Sequence, residues 1–198
     1  MRLHLGGAGL AVVAAAALSG CSVSPTSYAA VSDTFRITQQ EISADVAEVL
    51  QAAGRPPAET AVGLALTNVQ RRAQDALVAA EAELLGVRVT QKQVEDGLAA
   101  LAEEKGGMDV LADAAVQSGI PPSALEDYAR TNLLITEIGR AMKESGGSGS
   151  LEDTRVALAG LSKSIGIEVA PRYGTWDHEA VGITPGSTVA VPSGSSAG

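Results

Sequence analysis

Glu59-Thr-Ala-Val-Gly-Leu-Ala-Leu-Thr-Asn-Val-Gln-Arg-Arg-Ala-Gln-Asp-Ala-Leu-Val-Ala-Ala-Glu-Ala-Glu-Leu-Leu85 is the stretch that decides the fold. Apolar residues fall at Val62, Leu66, Val69, Ala73, Ala76, Leu77, Ala80 and Leu84, in alternating steps of three and four. That spacing predicts one helix of about seven turns with a continuous apolar stripe. Arg71, Arg72, Gln74, Asp75, Glu81 and Glu83 lie between the apolar positions and are expected on the solvent side. Much of the stripe is alanine, so neighbouring helices can approach closely while each contact buries little area. A helix of this length cannot cover its own stripe. The flanking chain must supply the cover.

That cover reads as shorter helices. Thr38 is placed to cap a helix over residues 39–53, with Glu41 completing a capping box and Ile42, Val46, Val49 and Leu50 facing inward. Gly54-Arg55-Pro56-Pro57 ends it. After the long helix Gly86 is a stop, and Thr90 caps a helix over 91–105 with Val94, Leu98, Leu101 and Ala102 inward. Gly106-Gly107 separates it from a short helix over 108–118. Gly119-Ile120-Pro121-Pro122 precedes a helix reaching about Lys143, and a further helix covers 151–165. Ser145 to Ser150 is rich in glycine and serine and reads as a flexible joint. Extended pieces are expected at 29–31, 35–37 and 167–170. The fold class is mainly α, with one long central helix.

Composition supports helices built on small apolar residues. The chain of 198 residues is 45% hydrophobic but only 3% aromatic, so Ala, Val and Leu form the core. Formal net charge is -9, and removing Arg2 with residues 1–20 leaves -10. Without clustered Lys and Arg, nucleic acid is excluded as a partner.

Residues 1–20 have the form of an export signal: Arg2, then an apolar run from Leu5 to Leu18 that is short for a membrane span. Leu18-Ser19-Gly20-Cys21 is similar to the lipobox of bacterial lipoproteins. Cys21 is the only cysteine in the chain and stands where that motif needs a thiol, which makes it the expected lipidation site. Residues 21–27 then form a lipidated tether, 28–177 the domain, and 178–198 a disordered tail. This organisation implies attachment to the extracytoplasmic face of the cell membrane through a lipid anchor.

The order of parts carries a second resemblance. A short strand, a capped helix, a long helix ending Ala82-Glu83-Leu84-Leu85-Gly86-Val87-Arg88-Val89-Thr90, then Gln93-Val94 to Leu101, Gly106-Gly107-Met108, Leu111 and a helix after Gly119-Ile120-Pro121-Pro122 resembles the N-terminal chaperone module of SurA. PrsA-type foldases share this module, and trigger factor has a comparable helical one. Val169-Ala170-Pro171-Arg172-Tyr173-Gly174-Thr175-Trp176-Asp177 is similar to the end of actinobacterial lipoproteins of that kind. The resemblance covers about residues 28–177. It implies binding of unfolded or exported polypeptides. Because the C-terminal segment of that family returns to complete the module, it also implies a minimal β pairing of N- and C-terminal segments, in which 167–170 joins the N-terminal extended pieces. In SurA and PrsA the module accompanies parvulin domains, and here only the Gly/Ser joint stands between the last two helices, so isomerase activity is not implied.

Reactive groups are scarce. His4 belongs to the signal, which leaves His178, expected as a solvated surface group beside Asp177 and Glu179. With no second mature histidine and no free cysteine, the usual zinc site cannot be assembled, and no cofactor is expected. No Ser-His-Asp pattern or phosphate loop is recognisable. An enzyme therefore has no residues to carry it. A lipid-anchored chaperone-like module remains, with Met108, Leu111, Tyr128 and Leu134 as candidate groove residues because Met and Tyr suit variable apolar clients. The alternative is a scaffolding envelope lipoprotein with one dedicated protein partner.

Overall fold

Helix α2 (Ala61–Leu84) is the central element, on which the first, fifth and sixth helices and the strands pack, whereas the third and fourth helices pack on the fifth and on each other. The computed structural model describes residues 27–56 and 61–186. Cys21, the signal and most of the tether lie outside them, as do residues 57–60 and 187–198. The described chain runs β1 (Tyr28–Val31), β2 (Arg36–Thr38), α1 (Gln39–Ala52), α2, α3 (Gln91–Lys105), α4 (Met108–Gln117), α5 (Leu125–Glu144), α6 (Leu151–Ser164), β3 (Glu168–Val169), β4 (Thr175–Asp177) and β5 (Gly182–Thr184). It is mainly helical with a small antiparallel sheet.

Local chemistry sets the helix starts. Thr38 Oγ1 accepts from the Glu41 amide at 3.2 Å while Glu41 accepts from the Thr38 amide at 2.7 Å. Thr90 and Gln93 build the same reciprocal box at α3, and Ser150 and Asp153 build it at α6. Each box satisfies two of the amide donors that a helix start leaves free. Gly106 closes α3 in the left-handed conformation, at φ 96°, which glycine adopts without strain.

The sheet joins the two ends of the domain. β1 pairs antiparallel with β2, and on its other edge with β3 through Ala30↔Val169 and Val31↔Glu168. The expected pairing of residues 167–170 with the N-terminal pieces is therefore present. Ala29, Ala30 and Ile37 bury their inner face on α1 and α2.

Two hydrophobic clusters result. The larger runs from Ala29 to Val181 and includes Ile42, Val69, Ala73, Leu77, Ile138, Leu158, Ile167 and Trp176. The smaller contains Ala102, Leu111, Ala115 and Leu125, where the α3–α4 hairpin meets the start of α5.

Three expectations are corrected. Residues 178–186 are ordered: β5 pairs antiparallel with β4 through Trp176↔Ile183, and Val181 is buried in the larger core. The remainder of the expected tail, 187–198, lies outside the described residues. The Gly/Ser stretch is a tight helix-to-helix turn. A Cβ on Gly149 would strike the Gly139 carbonyl, so glycine lets α6 start directly against α5. Lastly, most of the polar side of α2 is covered, with Glu83 exposed as expected but Arg71, Arg72, Gln74, Asp75 and Glu81 wholly or partly buried. Arg71 and Asp45 keep only 11% and 6% of their side-chain surface, because α1, α5, α6 and the β4–β5 hairpin together surround more of α2 than one stripe. Conversely, Val62 and Leu84 at the ends of the predicted stripe are exposed.

Candidate functional site

Where α2, α5 and α6 diverge they leave a cleft of about 630 Å³, closed at one side by the turn between β4 and β5. Its apolar walls are Leu66 and Val78 from α2, Ile135 from α5 and Leu158 from α6. Tyr128 and Leu151, 41% and 79% exposed, stand at its rim.

Gln70, Arg71, Gln74 and Asp75 of α2 give the cleft a polar floor, and Asp45 and Arg72 lie behind that floor, outside the cleft lining. Asp45 on α1 accepts from Arg71 at 2.9 Å and from Arg72 at 2.6 and 2.8 Å. Arg71 also donates to Asp75 at 3.0 Å, and Asp75 accepts from the Thr131 hydroxyl at 2.8 Å. Burial pushes the Asp75 carboxyl above its ordinary range, against the opposing pull of Thr131 and Arg71. The bond to Asp45 raises Arg72 further, which keeps it charged. Removing Asp45 would leave Arg71 as a nearly buried cation with one acidic partner fewer, the situation in which losing one member of a buried pair destabilises strongly.

Two glutamines complete the floor. Gln74 Nε2 donates to the Val181 carbonyl at 2.7 Å, and Gln70 Oε1 accepts from the Ile183 amide at 3.0 Å. They hold the turn that bounds the cleft. Arg155 assists from α6, donating to the Glu179 carbonyl at 2.9 Å. Within the turn, Asp177 accepts from the Ala180 and Glu179 amides, which lowers its carboxyl. Among the described residues no fully buried side-chain polar atom lacks a partner.

The candidate groove residues separate. Tyr128 lines the cleft. Met108 is 44% exposed at the start of α4 and is not among the cleft-lining residues. Leu111 and Leu134 are corrected to core residues, packed in the smaller and larger clusters respectively. Their helical spacing already fits a core face, and burial on α5 and α4 is what that face does. Gln70, Gln74, Ile135, Leu158 and Val181 had no signal as site residues, since their convergence depends on the docking of the C-terminal hairpin.

A second hollow, of about 490 Å³, lies between β3 and β4. Beside it Ser162 Oγ is 2.8 Å from both Trp176 Nε1 and His178 Nδ1. His178 is thus not the solvated group expected from sequence. The Ser162 side chain is fully buried and accepts from the indole, so this Ser-His contact holds α6 to β4 and presents no nucleophile to solvent. Among the described residues there is no metal-ligating cluster and no helix long and apolar enough to cross a membrane. No protein-family model, curated protein or solved structure matches the chain, and the cleft is therefore read from its own geometry.

Proposed function

We propose that this chain is a lipid-anchored, extracytoplasmic, SurA-like client-binding module, without isomerase activity, whose cleft takes apolar segments of unfolded or exported polypeptides. The observation that supports this reading is the contrast between the cleft's walls and floor. Every floor group already has a hydrogen-bond partner, so a polar ligand would compete with bonds that exist. Apolar groups gain by leaving water for walls of Leu66, Val78, Ile135 and Leu158. A cleft of about 630 Å³ has the size at which small ligands or a few side chains are held.

Purified protein beginning at Cys21 is expected to slow the aggregation of several unrelated unfolded clients. Tyr128→Asp with Leu151→Asp, both at exposed rim positions, is expected to abolish that effect while leaving the melting temperature unchanged. Absence of any suppression, with a single envelope protein recovered by crosslinking, would replace this reading by the scaffold. Anchoring is checked separately by palmitate labelling, which Cys21→Ala is expected to remove.

A further inference from the structure

Ser162 Oγ on α6 lies between two rings, 2.8 Å from the Trp176 indole nitrogen and 2.8 Å from His178 Nδ1. The chemistry of the three groups fixes the direction of both bonds. An indole nitrogen can only donate, so Ser162 Oγ accepts from Trp176. The hydroxyl still has one hydrogen to place, and Ser162 is fully buried. Among the described residues its remaining partner is His178 Nδ1. Were Nδ1 to carry a hydrogen, both rings would donate to Oγ and the hydroxyl hydrogen would be left in the core without an acceptor, which is costly. Nδ1 therefore accepts, and the ring is neutral with its hydrogen on Nε2.

The charges around the ring favour the other state. Asp177 precedes it; the amides of Ala180 and Glu179 lower that carboxyl most, and positive charge at His178 and Lys163 lowers it further. Glu168 of β3 lines the same hollow as His178. Glu179 follows, and it pairs with Lys163 of α6 at 3.1 Å. Arg155 of α6 is turned to Glu152 and to the Glu179 carbonyl. Three carboxylates and one paired lysine thus stand near a ring that Ser162 holds without penalty only while it is neutral. A proton on Nδ1 turns an acceptor into a donor, draws the ring toward the carboxylates and leaves the Ser162 hydroxyl in need of water.

We infer that Ser162 and His178 form a proton-sensitive latch between α6 and the β4–β5 hairpin, closed by the neutral ring and released when the ring takes up a proton. Water reaches the stranded Ser162 hydroxyl only if β4 lifts from α6, so the released state loosens the hairpin. The same hairpin carries Ala180 and Val181 into the lining of the cleft. Val181 has φ 52°, a strained value for a β-branched residue, and its carbonyl is held by Gln74 at 2.7 Å. Loosening the hairpin therefore weakens this wall of the cleft. The proposed client site is then regulated by pH: apolar segments are held at neutral pH and let go in acid. Only that consequence rests on the client-binding reading. A ring that moves between two partners on protonation is the bistable element on which histidine switches depend.

The test uses the full chain in detergent between about pH 8 and about pH 5.5, the span in which imidazoles change charge. Ring-nitrogen NMR at the alkaline end, assigned by loss of the signals in His178→Asn, is expected to show Nδ1 bare and Nε2 protonated. A hydrogen on Nδ1 there overturns the latch. His178→Asn keeps an acceptor near the position of Nδ1 and cannot titrate. Emission from Trp176, the only tryptophan, is expected to change with acid in the parent and to stay constant in His178→Asn. At about pH 5.5 the Ile183 amide is expected to exchange about tenfold faster in the parent than in the variant, and a labelled, end-capped peptide alternating leucine and serine to bind about threefold more weakly or worse. Asp75 and Glu81, whose carboxyls burial raises, titrate in both proteins and drop out of the comparison. Identical behaviour of parent and variant overturns the latch. Release seen by emission and exchange with unchanged peptide affinity overturns its control of the cleft and leaves client binding in place. No peptide binding at either pH, together with failure to suppress aggregation, overturns the client reading, while tautomer and emission still decide the latch. The tautomer is read on unaltered protein at its own ring nitrogens, so a bare or protonated Nδ1 decides the matter even if His178→Asn does not fold.

Discussion

The α2-centred core and the α3–α4 hairpin are made from the same residue types, yet they hold together over opposite ranges of sequence. In the hairpin, Ala102, Leu111, Ala115 and Leu125 meet within a short stretch of chain around Gly106-Gly107. In the larger core, Ala29 and Ala30 share a cluster with Tyr173, Trp176 and Val181. Closing that larger loop is entropically expensive and is offset only when the C-terminal segment docks. The polar contacts divide similarly. The hairpin's ion pairs, such as Lys92–Asp96, are exposed, and exposed pairs contribute little. The larger core contains Asp45 bound to both Arg71 and Arg72. Stability is therefore concentrated where the two ends of the domain meet, and the cleft lies there as well.

The strongest way to break this comparison is to end the chain after Gly149. The truncation removes Leu158, Ile165, Ile167, Tyr173, Trp176 and Val181 from the larger core and exposes the faces of α2 and α5 they cover. Loss of a cooperative thermal transition, followed by circular dichroism, is expected. A sharp transition within a few degrees of the full chain would mean that the C-terminal segment adds nothing, and the distinction between the two regions would fall.

A smaller test compares two leucines. Leu77 is fully buried under several layers, so Leu77→Ala leaves a cavity that cannot collapse and is expected to destabilise by about 3 to 4 kcal/mol. Leu111 lies in the small cluster near solvent, where neighbours can relax, and Leu111→Ala is expected to destabilise by about 2 kcal/mol. Urea unfolding measures both. An equal or larger loss at Leu111 would show that the hairpin, not the α2 core, limits stability.

What was legible in the sequence follows the same division. Helix boundaries were readable because their determinants are local: Thr38 with Glu41, Thr90 with Gln93, and Gly106 at φ 96° each act within one turn. Alternation marked residues 167–169 as extended, but their pairing with β1 was expected only from the resemblance to a module whose C-terminal segment returns. The environment of Arg71, Asp75, Gln70 and Gln74 was not. Polar residues on a helix read as solvated unless something covers them, and the cover here comes from α1 and from residues 175–184, far along the chain. The β4–β5 hairpin escaped notice because Gly182-Ile183-Thr184 is too short to show a period, and its partners on α2 are side chains rather than a strand. Tyr128 was placed at the cleft from its chemistry, whereas Leu111 and Leu134 show that the same helical spacing serves a core equally well.

The smallest expected effect concerns the charge that the larger core leaves unpaired. Glu81 is buried in the last turn of α2, and burial alone raises its carboxyl above the ordinary range. Among the described residues no cation forms an ion pair with Glu81, whereas Asp45 and Asp75 both pair with Arg71. The helix C-terminus adds to the penalty, since its carbonyls disfavour negative charge and no basic residue lies in that turn. Because the folded state holds this proton more tightly than the unfolded state, Glu81 contributes least cost at acidic pH. Its penalty develops as pH rises from the ordinary carboxylate range through the raised folded value, and it is fully present at neutral pH. Among the described residues no fully buried side-chain polar atom lacks a partner, so the carboxylate tip keeps contact with water, and solvent screening holds the penalty under about 1 kcal/mol. Glu81→Gln is therefore expected to raise the melting temperature slightly at pH 7, with the gain shrinking to nothing below the ordinary carboxylate range. A variant less stable than the parent at neutral pH would show that Glu81 has a stabilising partner, and that the larger core, like its Asp45 site, pairs every charge it buries.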